Sequence, residues 1–454
     1  MELNNKKVLI FGSGKSGIGA ARLLLARHAV PVIYDGNVHA DKEAIIEKLG
    51  QPCEIILGDI SDKVLDTLDL VIMSPGVPCD LPVVDRFRAK KLPIWGEIEL
   101  AYQIGKGKVL AVTGTNGKTT TVTLLGEIMK DFYPEVYVVG NIGTPYTDVV
   151  LEQTENAYTV AEVSSFQLET IDTFHPIASA LTNITEDHLN RHHTMEEYIR
   201  CKARVTENQT PEDVCVLNYE DEVLRAFGEK CPAEVIFFSS SRVLEKGIYL
   251  EDNVIKISDG QKVLPVVRTD ELQILGLHNF ENIMVAAAMA HHAGVTIESI
   301  HDTCCAFKGV EHRIEYVTEV RGVKYYNDSK GTNPDAAIKG IQAMNRPTCL
   351  IGGGYDKELP FDSWIRAFDG KVKFFALIGQ TRETIAETAV RCGFPKEKIA
   401  LFENLEEATK ACAAHAEEGD AVLLSPACAS WGQFDNYEQR GDMFKQYVYD
   451  LAKE

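Results

Sequence analysis

Val109-Leu110-Ala111-Val112-Thr113-Gly114-Thr115-Asn116-Gly117-Lys118-Thr119-Thr120 is a short apolar run that breaks into a glycine turn and restarts with helix-compatible residues. Strand, turn and helix in that order make a phosphate-binding loop. Gly114 and Gly117 let successive N–H groups face inward as an anion nest, and the helix that follows points its positive end at the same spot. Lys118 adds a cation, and Thr119 a hydroxyl oxygen of the kind that completes the shell of a nucleotide-bound Mg²⁺. The stretch departs from strict G-x-x-x-x-G-K-[ST] at Val112, which stands where the first glycine is expected and leaves the turning to Gly114. A turn that merely carries a lysine is the competing reading, but G-K-T-T directly after a strand seldom arises that way. A nucleoside triphosphate is the first expected ligand.

Upstream, Lys7-Val8-Leu9-Ile10-Phe11 reads as a buried strand, followed by Gly12-Ser13-Gly14-Lys15-Ser16-Gly17, an Ala/Leu-rich helix, and a second strand ending at Asp35. This is a G-x-G-x-x-G fingerprint in a βαβ setting, ordinarily a dinucleotide signal. The same glycines serve any diphosphate, or simply close packing of a helix on a strand. Leu70-Val71-Ile72-Met73 is a further strand that runs into Ser74-Pro75-Gly76-Val77-Pro78, a tight loop on the same expected sheet edge.

A chain of 454 residues exceeds one ordinary core. We expect an α/β protein of three domains: an N-terminal Rossmann-like domain over 1–96, a central P-loop ATPase-like parallel sheet with flanking helices over 97–309, and a C-terminal Rossmann-like domain over 310–454. No apolar run approaches bilayer length and no signal-peptide core follows Met1, so a cytoplasmic location is expected. The eleven cysteines are scattered without C-x-x-C spacing, and read as reduced core thiols. A net charge of −21 with no basic run argues against nucleic acid and anionic membrane as partners.

In the central region, Tyr137-Val138-Val139-Gly140-Asn141-Ile142-Gly143 and Tyr158-Thr159-Val160-Ala161-Glu162-Val163 alternate with helical patterns. Glu162 closes an apolar strand, where a carboxylate is costly unless paired or metal-bound, so a metal-facing role is favoured over a surface one. Thr185-Glu186-Asp187-His188-Leu189-Asn190-Arg191-His192-His193 reads equally as a metal loop or a solvated polar one. Asn279 and Asn282, before an Ala-rich helix, suit capping or base reading. After residue 310 the strands around Cys349-Leu350-Ile351, Phe374 to Ile378 and Ala421 to Leu424 each end in Gly, Ser or Pro. That gathers their loops at one carboxyl edge.

These residues together resemble the Mur ligase family, ATP-dependent enzymes that add amino acids to the peptidoglycan precursor. The resemblance covers essentially the whole chain. It is carried by Gly114 to Thr119, Gly140-Asn141-Ile142-Gly143, Glu162-Val163-Ser164-Ser165-Phe166-Gln167-Leu168, Asn183 to His188, His312-Arg313 and Asn327-Asp328-Ser329-Lys330-Gly331-Thr332-Asn333. Leu424-Ser425-Pro426-Ala427-Cys428-Ala429-Ser430-Trp431, continuing to Gln439-Arg440-Gly441, is similar to the member that adds D-glutamate.

The resemblance implies UDP-N-acetylmuramoyl-L-alanine and D-glutamate as small-molecule substrates, and ATP with two Mg²⁺ ions; a monomer is expected. By it, ATP is held by Gly114, Thr115, Asn116, Gly117, Lys118, Thr119, Thr120, Asn282, Arg313 and Asp328. Thr119 and Glu162 hold one metal, and His188 with Lys202 a second. An ammonium has no acceptor to ligate a metal, and the family's lysine at this place is carbamylated, so a carbamate is implied at Lys202. Catalysis is thereby assigned to Lys118, Glu162, His188 and Lys202. UDP falls to Gly12, Ser13, Gly14, Lys15, Gly17, Asp35, Ser74, Pro75 and Gly76, the muramoyl end to Asn141, and D-glutamate to Lys330, Thr332, Lys357, Ser430 and Tyr437. Two places depart from the family: Gly36-Asn37 lacks a familiar Thr-Arg cation, and Tyr437 replaces a phenylalanine. Another Mur ligase, or a folylpolyglutamate synthase, would share the ATP residues and differ in the C-terminal pocket. A UDP-sugar switch without chemistry would have no use for a second metal set.

Overall fold

The computed structural model describes residues 2–141, 143–357 and 359–453; Ile142 of the central glycine motif lies outside them. Three sheets account for the strands. The first runs in the order Glu54–Leu57, Val30–Asp35, Lys7–Phe11, Leu70–Met73, Ile94–Gly96, all parallel. Its strands read as unbroken apolar runs because both faces are covered. Val8 and Ile10 belong to one core and Leu9 and Phe11 to the other. Strand order reverses between Lys7–Phe11 and Leu70–Met73, so loops 12–14 and 74–78 flank the switch point where doubly wound sheets bind ligands.

The second sheet has nine strands, in the order Val136–Gly140, Tyr158–Glu162, Lys108–Thr113, Ala178–Leu181, Val214–Asn218, Glu234–Ser239, Lys246–Glu251, Val254–Asp259, Val263–Arg268. It is parallel as far as Lys246–Glu251. There the expected parallel sheet acquires an antiparallel tail, turned at Asp252-Asn253, both at positive φ, which is the chemistry a two-residue hairpin demands. The third sheet runs Glu315–Val320, Val323–Asn327, Ala421–Leu424, Thr348–Gly353, Val372–Ile378, Ile399–Leu401. Its first pair is an antiparallel hairpin turned at Arg321-Gly322, and the remainder is parallel. Alternate residues again divide between two cores: Leu350, Phe375 and Leu423 on one face, Ile351, Phe374 and Val422 on the other.

The chain packs as two units, one reaching to Val266 and including Glu281–Thr303, the other formed by Val267–Phe280 and the residues from Cys304 on. Within the first unit a single apolar core runs from the first sheet through helix Glu97–Ile104 into the central sheet, joining Ile10, Leu24, Ile98, Leu100, Tyr146 and Val163. That helix also buries Glu99. Its carboxylate accepts the N–H groups of Asp172, Thr173 and Phe174, the Thr173 hydroxyl and the Gln103 amide, a donor set strong enough to offset desolvation. Among the described residues no helix is long and apolar enough to cross a membrane.

Candidate active site

Strand Lys108–Thr113 delivers the glycine loop to the N-terminus of helix Lys118–Phe132. Gly114 and Gly117 have φ of +134° and +87°, where a side chain is strained. Space forbids one as well, since a Cβ on Gly114 would lie 2.0 Å from Thr182 Oγ1 and one on Gly117 2.4 Å from Asn282 Oδ1. The loop is laced from behind. Asn183 Oδ1 accepts Asn116 N–H at 2.9 Å, Thr182 Oγ1 donates to Asn116 O at 2.6 Å, and Thr115 Oγ1 lies 3.0 Å from Tyr198 Oη. Asn282 accepts from Thr121, so its amide faces the loop, and Thr120 is buried in the helix. The helix start has no side-chain cap, which leaves its N–H groups for an anion.

Lys118 Nζ folds back onto Gly114 O at 2.9 Å and Thr115 O at 2.8 Å. Lys202, from helix Met195–Ala203, donates to the same Gly114 O at 2.6 Å and lies 4.7 Å from the Tyr198 ring centroid. It is 2% exposed. Burial pushes its ammonium down to about 7, and the neighbouring Lys118 charge works in the same direction. Glu162, 1% exposed at its strand end, accepts Thr119 Oγ1 at 2.9 Å and the Asn141 amide at 2.8 Å. Thr119 and Glu162 thus present adjacent hard oxygens of the kind Mg²⁺ takes, whereas Lys202 as an ammonium presents only donors. His188 adopts φ +53° ahead of the short helix Leu189–His192, with its ring 4.9 Å from Phe166 and Nε2 3.4 Å from Asp187 Oδ2. The other histidines of that stretch diverge: His192 is buried against Ser165 Oγ at 2.9 Å, and His193 pairs with Asp80.

At the first sheet's switch point the fingerprint glycines divide by role. A Cβ on Gly17 would meet Gly12 O at 2.0 Å, and one on Gly12 would meet Ser74 Oγ at 2.7 Å, so both are fixed by packing. Gly14 faces open space and caps helix Lys15–Ala26 without a side chain, leaving the helix start uncovered. Asp35 accepts the hydroxyl of Ser13 at 2.5 Å, its N–H at 3.2 Å, and the Asn37 N–H at 3.0 Å. Burial alone would raise its pKa, but these bonds outweigh it and hold the carboxyl below its ordinary range. Lys15 Nζ donates to Gly143 O at 3.0 Å, which joins this loop to the one carrying Asn141.

In the second unit, Asp328 is 4% exposed, accepts Ser425 Oγ at 2.7 Å, and is pushed up to about 7 by burial. Its carboxyl faces inward, while Arg313 is exposed. Lys330 Nζ lies 5.6 Å from the Tyr437 ring centroid, and Lys357 Nζ 5.2 Å from that of Trp431. Ser430 is buried, and Thr332 N–H donates to Lys330 O. Arg440, fully buried, ties these loops by donating to Ser329 Oγ, Ser329 O and Cys428 O. Sequence reasoning gave no role to Arg440, Tyr198, Arg191 or Glu97. Only Glu97 carried a local signal, a carboxylate set among apolar helix positions.

Three sheets, a laced glycine loop and a buried carboxylate behind it define a phosphate-loop α/β protein. Residues 6–96 match the Mur ligase MurD-like, N-terminal domain, 112–290 the Mur ligase middle domain, and 312–428 the Mur ligase, glutamate ligase domain. The chain belongs to the Mur ligase family, whose members use ATP and Mg²⁺. UDP-N-acetylmuramoylalanine--D-glutamate ligase of Lachnoclostridium phytofermentans is 54% identical over 456 residues, spanning all of both chains. The protein of the same name from Caldanaerobacter subterraneus is 46% identical, again over both full lengths. The solved UDP-N-acetylmuramoylalanyl-D-glutamyl-2,6-diaminopimelate--D-alanyl-D-alanyl ligase from Acinetobacter baumannii shares the fold, with a TM-score of 0.57 at 16% identity over 98% of this chain and 93% of its own.

Proposed function

We propose that this chain is an ATP-dependent amide ligase joining D-glutamate to UDP-N-acetylmuramoyl-L-alanine, a cytoplasmic step in making peptidoglycan precursor. The arrangement around Gly114 carries this reading: Lys118 and Lys202 converge on one carbonyl of the phosphate loop, with the Thr119–Glu162 pair on the helix side. Full-length similarity to relatives named for the D-glutamate reaction supports the choice of amino acid. The three matched segments support domains at 1–96, 97–309 and 310–454.

In this reading the loop N–H groups and Lys118 hold the β- and γ-phosphates, and the substrate carboxylate attacks the γ-phosphorus. ADP leaves and an acyl phosphate forms. The amine of D-glutamate then attacks the acyl carbon, phosphate departs, and the nitrogen gives up a proton as the amide forms. Two Mg²⁺ ions, when bound, would screen the repulsion between triphosphate and carboxylate. Thr119 and Glu162 would hold one. His188 would hold the other together with Lys202, provided Lys202 has taken up CO₂ as a carbamate and so turned from donor to oxygen ligand. Loops 12–17 and 74–76 with Asp35 and Lys15 would bind the uridine diphosphate, supported by the uncovered helix start at Gly14. Lys330 and Lys357 suit the two carboxylates of D-glutamate, because each brings an ammonium to the face of an aromatic ring, a cation of the kind a dicarboxylate requires.

The deciding experiment measures phosphate release with ATP, Mg²⁺ and UDP-N-acetylmuramoyl-L-alanine over a panel of D- and L-amino acids. Release that depends on D-glutamate and on every other component is the expected result. Equal turnover with L-alanine or a diamino acid would overturn the assignment.

A further inference from the structure

Arg191 lies three residues beyond His188, in the one-turn helix Leu189–His192, and its N–H donates to His188 O at 2.9 Å. Its side chain is nine-tenths buried, and the guanidinium meets three things at once. It pairs with Glu169 through Nε at 3.1 Å and Nη2 at 2.6 Å, a two-point fork. Nη2 also donates to Val77 O at 2.9 Å, in the loop that leaves the first sheet at its switch point. The plane stands 5.0 Å from the ring of Phe166, and that same ring packs against His188. One side chain therefore joins the 74–78 loop to the segment presenting His188, across 114 residues of sequence.

Lysine could not do this, since a single ammonium has neither the fork nor the flat face. His188 is held at φ +53°, a backbone state that a non-glycine residue keeps only when its surroundings over-determine it. The Phe166 ring and the Arg191 anchor are those surroundings. Glu169 completes the strut: it takes the guanidinium charge, and its Oε1 also lies 3.6 Å from His192 Nδ1, which keeps the short helix seated. The bonds of Nε and Nη2 run to Glu169 and Val77 and not to the phosphate loop, so the influence of this anchor on the chemistry passes through His188.

We infer that Arg191 is a positioning residue that couples the 74–78 loop to His188, so that the seat of the nucleotide sugar and the alignment of His188 are set by one side chain. The inference rests on the function proposed above for His188 and for that loop. Its test is a double-mutant cycle on the full chain. Arg191→Met should lower kcat about tenfold or more, the size typical for a residue that orients a metal ligand. It should also raise the half-saturating Mg²⁺ concentration and weaken UDP binding in calorimetry, with ATP binding unchanged. In a His188→Ala background the same substitution should change kcat less than about twofold. Arg191→Lys should recover only part of the loss. Glu169→Gln, which keeps shape and one acceptor oxygen, should move the same quantities in the same direction and serves if Arg191→Met does not fold. Equal losses in both backgrounds, or a variant whose only defect is a lower Tm, would overturn the coupling. Full activity of His188→Ala alone would instead sink the functional reading, and UDP affinity would still report whether Arg191 seats the loop.

Discussion

Glu97 has one carboxylate oxygen hydrogen-bonded to the Gln167 amide at 2.8 Å and the other buried without a partner. Burial raises its pKa to about 7, with the Gln167 bond opposing and Asp148 adding. Between its ordinary value of 4.5 and about 7 the unfolded chain releases this proton while the folded chain keeps it. Stability therefore falls with rising pH across that window and is flat above it. Glu97→Gln removes the titration and should gain on the parent as pH rises from 5 to 7.5, by at most about 3 kcal/mol. Urea unfolding at both pH values checks this, and a pH-independent difference would sink it. Lys202 poses the opposite problem, an amine asked to act as an anionic ligand. If it works as a carbamate, Lys202→Ala should lose most of the rate, keep ATP binding, and regain part of the rate with added formate or acetate. Rescue by a short amine alone would mean that Lys202 acts as a cation.

The two glycines of loop 12–17 separate packing from binding within a single element. Gly14→Ala meets nothing within 4 Å, and Gly14 sits at φ −76°, so the fold should be unchanged while the added methyl crowds a ligand at the helix start. Gly17→Ala drives a methyl onto Gly12 O, a backbone atom that cannot step aside, and should cost about 2 kcal/mol or more. Thermal melts with UDP calorimetry should show lost affinity at constant Tm for the first and a lowered Tm for the second; the reverse pattern would reassign the loop. Elements of this kind were legible in the sequence because glycine spacing and unbroken apolar strands are local signals. The hairpin tail from Lys246–Glu251 onward was not read as strands, since its pattern mixes buried and half-exposed positions, although Asp252-Asn253 marked the turn. Of the site, the phosphate loop and Glu162 could be read from local pattern. Lys202 came only through family resemblance, and the strut at Arg191 stayed hidden because its meaning lies in a carbonyl 114 residues away.

At the scale of the whole molecule, acidic groups exceed basic ones by 21, while the function proposed above asks the chain to take in anions. A net charge of that sign gives an anionic ligand no overall long-range attraction. In the proposed reading, capture falls to short-range donors: the helix starts at Gly14 and Gly117, and a few lysines held by carbonyls or placed beside rings. The pairing of Lys357 with Trp431 has an optical consequence. The chain has three tryptophans, and Trp95 and Trp364 are 5% and 0% exposed, whereas Trp431 is 55% exposed. Only Trp431 should be open to a collisional quencher dissolved in the solvent, and it stands beside the ammonium assigned to the incoming amino acid. The red-shifted, quenchable part of the intrinsic emission thus belongs to one indole beside the lysine proposed to meet the amino acid, and in that reading it is a built-in fluorophore for following occupancy without a label.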